Sequence, residues 1–290
     1  MSSWAKKLAG RWIFISILLI AGGVFLAQMI VMTLRVNATE GTFVIYGLGS
    51  LVGGYLAARL SPGETVAEPA IAAMLMALGT AAIDYLMNMG VFAESFSRPS
   101  APPTLGVVAF AGALASATLG ERQPPLPHQP DHGGGLIWAL ISLHMLIGVA
   151  FVLLSLSGVF EPIIGHGPAV AIGVFSMLSA PVVAGFLTQL STPRPIARSF
   201  LHAVVLLTAL VAALGMSKGG IELVTLVASS AGAGLMFGGL AYLGSYLAKS
   251  RFASWRPAWR DERPETSAPR AEVRVRGRAT DRIRGRTNRS

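Results

Sequence analysis

Few residues in this chain could do chemistry. Asp84 is the sole carboxylate well inside an apolar run, and a buried carboxylate is costly unless it is paired, protonated or hydrated, which makes it a candidate for handling a proton or a cation. Thr80 and Asn88 stand four residues before and after it, so on a helix all three share one face. Counting 1.5 Å per residue from Pro69 puts Asp84 about 22 Å into its span, toward the far leaflet rather than the midplane. The plainer alternative is a carboxylate satisfied near that interface by Asn88, Tyr85 and water. His144 falls near the middle of another apolar run. Its ring titrates close to neutrality and, when neutral, can also donate and accept between two helices.

Other combinations are weaker. Ser229 and Ser230 in a glycine-rich run, with His144 elsewhere, have no spacing that ties a base to a nucleophile, and enzymatic catalysis is not expected. His128, Asp131 and His132 could ligate a metal, but in a proline-broken segment they read as solvated polar residues. The absence of cysteine removes thiolate sites and disulfides. Gly47-Leu-Gly49 has neither the strand nor the third glycine of a nucleotide loop. No cofactor is implied.

The elements that must position these residues are membrane helices. Hydrophobic residues make up 53% of the chain and charged ones 13%, and apolar runs of about twenty residues recur, the pattern of a polytopic helical membrane protein. Eight runs are expected, near 12–34, 42–60, 69–89, 104–119, 135–158, 168–190, 199–217 and 221–248. The first is too long for a signal peptide's apolar region and is read as a retained span. Leaving the C-terminal tail aside, one side holds Lys6, Lys7, Arg11, Arg59, Arg122, Arg194 and Arg198, and the other only Arg35, Arg98 and Lys218. Both termini are therefore expected in the cytoplasm. Arginine far outnumbers lysine and alanine and glycine abound, as in proteins of GC-rich bacteria, so the expected location is a bacterial inner membrane.

The chain also reads as a duplication. Sliding it by 126 positions sets Trp12 on Trp138, Ser16 on Ser142, Gly22 on Gly148, Phe25 on Phe151, Gly47 on Gly173 and Ser50 on Ser176. The register slips by four where Leu60-Ser61 meets Leu190-Ser191, and returns for Gly106 on Gly232 and Gly112 on Gly238. The expected fold class is thus all-α, with eight transmembrane helices as two parallel four-helix repeats related by a pseudo-two-fold along the membrane normal. The boundaries fall at 1–122, a Pro/Gly-rich cytoplasmic linker 123–134, a second repeat 135–248 and a tail 249–290.

Small residues four apart suit helix packing, notably Gly49 with Gly53 and Gly234 with Gly238. In the slipped register Glu64 corresponds to Arg194 and Glu68 to Arg198, a candidate charged latch at the cytoplasmic end. The tail carries thirteen Lys/Arg against five Asp/Glu, a net +8, leaving only +1 for residues 1–248. Its first part sets Trp255 and Trp259 beside Arg256 and Arg260, which suits the membrane surface, and the remainder is too polar to bury a core and is expected to be disordered. The expected partners are the bilayer, anionic headgroups at the tail, and a membrane or cytoplasmic protein; the charge would also attract nucleic acid, which is not favoured. Two functions fit: a small-solute or ion-coupled transporter, with Asp84 and His144 breaking the symmetry of a central interface, or a scaffold or regulatory subunit acting through its basic tail.

Overall fold

Apolar runs of this length must satisfy every backbone group internally if hydrocarbon surrounds them, and the helix is the simplest way to do so. A computed structural model describes residues 10–34, 38–61, 65–87, 101–123, 135–191, 197–218 and 223–251. These form eight α-helices: α1 (Gly10–Leu34), α2 (Ala38–Leu60), α3 (Ala67–Met87), α4 (Ala101–Arg122), α5 (Gly135–Ile164), α6 (His166–Leu190), α7 (Ala197–Lys218) and α8 (Leu223–Arg251). Six of them, α1, α2, α4, α5, α6 and α8, are long and apolar enough to cross a membrane. Helices α3 and α7 carry shorter apolar segments, Ala67–Ala82 and Ser199–Leu210. The chain is all-helical, and a lipid bilayer is the environment its surface suits: Ile163, Phe175, Leu235 and Val107 are among many large apolar side chains left exposed. The linker 124–134 and the tail from 252 onward lie outside the described residues.

The helices pack in a definite order. α1 lies on α2 and α3, and α4 lies on the same two, so the first four close a ring. α5 lies on α6 and α7, and α8 on the same two. The principal contact between these groups is α1 on α5.

Where the sequence suggested a break after residue 158, α5 continues to Ile164 and only Gly165 separates it from α6. Pro162 is accommodated within this extension because proline there deprives only the Gly158 carbonyl of a donor, and Gly158 has open space around it. The Gly165 amide closes the last turn on the Glu161 carbonyl at 2.8 Å. Its φ of 83° and ψ of 165° then reverse the chain, a backbone region open essentially to glycine alone. Glu161 Oε1 accepts from His166 Nδ1 at 2.7 Å across the turn; both are exposed, so the bond adds at most about 1 kcal/mol.

The interior is built on contacts that only glycine permits. A Cβ on Gly22 of α1 would run into the backbone of His144 on α5, and a Cβ on Gly148 of α5 into the Leu18 carbonyl of α1. Gly49 and Gly53 of α2 lie against Val24 and Ile20 of α1, while Gly234 and Gly238 of α8 lie against Val204 of α7. Lipid tails are as apolar as leucine, so close van der Waals approach of this kind is a main source of cohesion between membrane helices. Gly148→Ala is therefore expected to lower stability in detergent by about 1–3 kcal/mol through overpacking. Gly158→Ala, in the same helix but facing open space, is expected to be neutral or slightly stabilising. Thermal unfolding of the two variants side by side checks this.

Candidate functional site

His144 lies in the middle of α5 with 3% of its surface exposed. Its Nδ1 is 2.8 Å from the Leu140 carbonyl one turn earlier. A carbonyl can only accept, so Nδ1 carries the proton and Nε2 is left as an acceptor. One ring nitrogen is thus engaged by its own helix. Thr80 is half-buried and donates to the Met76 carbonyl at 2.9 Å, again within its helix. Asp84 is on α3, but its side chain lies outside the described residues, as does Asn88 altogether.

Of the latch residues, Glu68 opens α3 with its side chain buried. Glu64 and Arg194 lie outside the described residues, and so does the side chain of Arg198. Trp255, Arg256, Trp259 and Arg260 of the tail lie outside them too, with His128, Asp131, His132 and the side chains of Ser229 and Ser230. Among the described residues no group of three or more His, Asp or Glu comes together.

A polar cluster that the sequence reading missed caps the bundle where α2 and α4 end and α3 begins. Glu121 Oε1 accepts from the Thr65 amide at 3.1 Å and from the Thr65 hydroxyl at 3.4 Å. Tyr55 donates to Gln123 Oε1 at 2.7 Å. Arg59, Ser61, Thr65 and Glu68 are all buried at this end. The available signal was charge at the ends of three neighbouring runs, but spacing alone could not pair residues 56 positions apart. In the second group of helices the matching tie is Ser245 on α8, whose hydroxyl donates to the Gly185 carbonyl of α6 at 3.1 Å.

Among the described residues, two serines are buried without a partner. Ser50 of α2 and Ser142 of α5 are both fully buried, and neither hydroxyl finds an acceptor. They cost stability where they stand.

An apolar space opens in the second group of helices. A cavity of about 570 Å³ lies among α5, α6, α7 and α8, with Phe25 of α1 at one edge. Phe25 and Phe151, which coincide in the 126-residue offset, stack at its wall with centroids 6.0 Å apart and planes tilted by 56°. Ile147, Pro181, Leu207 and Phe237 form more of the lining. Helix α6 runs through Pro181 without ending, and the proline supplies no amide to the carbonyl of Met177, another lining residue. An adjoining cavity of about 150 Å³ shares Leu146, Leu207 and Phe237 and extends toward Val204, Thr208 and Gly234. The first four helices pack the corresponding region with Ile20, Val24, Tyr46 and Leu105 against Ala72, Ala73, Ala77, Ala109 and Ala113.

No protein-family model, curated protein or solved structure matches this chain, so its function is argued from geometry. The arrangement offers an apolar space and a polar end cap, and the His166–Glu161 pair lies apart from both, exposed at the turn between α5 and α6. Ser142→Ala should leave stability unchanged or raise it by about 1 kcal/mol, because it deletes an unpaired hydroxyl. Glu121→Ala should cost at least about 1 kcal/mol by orphaning the Thr65 donors. Detergent or denaturant unfolding of both variants separates the two cases.

Proposed function

We propose that the chain is a carrier of a small, uncharged solute in a bacterial inner membrane. It would have eight spans in two four-span halves facing the same way, with both termini cytoplasmic. The observation that carries this reading is the reciprocity of the α1–α5 contact: Gly22 approaches His144 while Gly148 approaches Leu18. In the 126-residue offset Gly22 corresponds to Gly148 and Leu18 to His144, so each half presents the same feature to the other, as a two-fold axis between α1 and α5 requires. The matching packing orders of α1–α4 and α5–α8 support the same symmetry.

A narrow backbone-to-backbone joint between two bundles suits a rocking motion, and the cavity beside that joint gives a solute a place to bind. Its lack of charge fits an uncharged solute. Asp84 and Thr80 on α3 are retained as candidates for coupling a proton to the motion, and Glu68 with Arg198 as a latch on the cytoplasmic end. The second reading, a scaffold or regulatory subunit, is favoured by a single feature, the tail's net charge of +8.

The cysteine-free sequence makes the test direct. A single Ala150→Cys at the cavity wall is labelled with a membrane-impermeant maleimide in right-side-out and in inside-out vesicles. A carrier is expected to label from both sides, slowly from each. Labelling from neither side, together with a stoichiometric protein that copurifies through the tail, would replace the carrier reading with the scaffold one.

A further inference from the structure

The two adjoining cavities have a chemistry that selects their occupant. Of the residues that line them, only Ser155 and Thr208 bear a hydroxyl, and none is charged. A polar ligand needs a few fixed donors or acceptors to orient it, and these walls supply almost none. An apolar space of this kind stays dry even at about 150 Å³, and takes up hydrocarbon instead. Here the larger space alone is about 570 Å³, and the smaller continues it between α7 and α8.

The opening faces sideways. Leu154 of α5 and Met177 of α6 line the cavity yet are 41% and 50% exposed, so they form its rim, whereas Ala180 and Leu146 are buried and form its floor. Met177, Leu207 and Phe237 lie near the middle of α6, α7 and α8, helices with many exposed apolar side chains. What lies against a mid-helix opening in such a surface is the hydrocarbon interior of the bilayer. From this we propose that the cavity seats an acyl chain of a bilayer lipid, which enters between Leu154 and Met177 and reaches toward Gly234. The assignment does not rest on the carrier reading, since a seated chain is compatible with halves that never move.

The test uses the full chain reconstituted in vesicles containing a phospholipid with a diazirine at mid-acyl chain. After irradiation, adducts are mapped by peptide mass spectrometry. They are expected to concentrate on residues 146–155, 177–181 and 207. Ala180→Phe, which fills the floor, and Met177→Trp, which obstructs the half-exposed rim, should each reduce those adducts several-fold. Val107→Trp, on the exposed face of α4, should leave them unchanged. Met177→Trp keeps the test decisive if Ala180→Phe does not fold. Adducts spread over all exposed helix faces in proportion to their area, or cavity adducts indifferent to Met177→Trp, would overturn the proposal. Ala150 lines the same space, so a seated chain also slows labelling of Ala150→Cys from both sides, and the adduct map separates that case from halves that do not move.

Discussion

The backbone contact between α1 and α5 is the constraint on which the rest of the structure depends. In water two helices would be driven together by burying apolar side chains, but in hydrocarbon that drive vanishes and approach distance decides. A Cβ on Gly22 or Gly148 would hold the two helices apart. The α1–α5 crossing brings His144 close to α1 and sets Phe25 against Phe151, which in turn bounds the cavity. Contacts of the same type then organise each bundle: Gly23 on Gly49, Gly54 on Ala113 and Ser116, and Gly244 on Val182.

The two bundles use this framework differently. In the first, Ala72, Ala73 and Ala77 of α3 and Ala109 and Ala113 of α4 pack with Ile20, Val24 and Leu105. In the second, Leu143, Ile147 and Ala203 pack together, and Phe151, Leu207 and Phe237 line the apolar space. Polar groups follow the same division. The first bundle is tied at its end by Glu121, Thr65, Tyr55 and Gln123, whereas the second has the interhelical bond from Ser245 to Gly185.

Much of this was legible in the sequence, because the bilayer reduces folding to a few rules. Helix positions followed from apolar runs, and the glycines that permit close packing were visible as four-residue ridges, including Gly49 with Gly53 and Gly234 with Gly238. The extension of α5 was not, since Pro162 reads as a helix end and only the open space at Gly158 accommodates it. Neither was the Thr65–Glu121 tie, which depends on a tertiary approach that local spacing does not encode. The cavity was invisible for a similar reason: Phe151 and Phe237 look like core residues, and only the tertiary arrangement sets them along the wall of a space. His144 was legible as a histidine within an apolar run, but its bond to the Leu140 carbonyl was not, since that depends on the side chain turning back along its own helix.

The central claim is that the chain consists of two four-span halves with the same orientation, and labelling of single cysteines from each side of sealed vesicles tests it most directly. Cysteines are introduced one at a time at Gly10, Gln123, His166 and Arg251, all exposed at helix ends. Eight spans place Gly10, Gln123 and Arg251 on the cytoplasmic side and His166 alone on the other. If only the six longest apolar helices cross, three crossings separate Gly10 from Gln123, and Gln123 appears on the outside with His166 in the cytoplasm. That second pattern would contradict the two-fold arrangement and the carrier built on it.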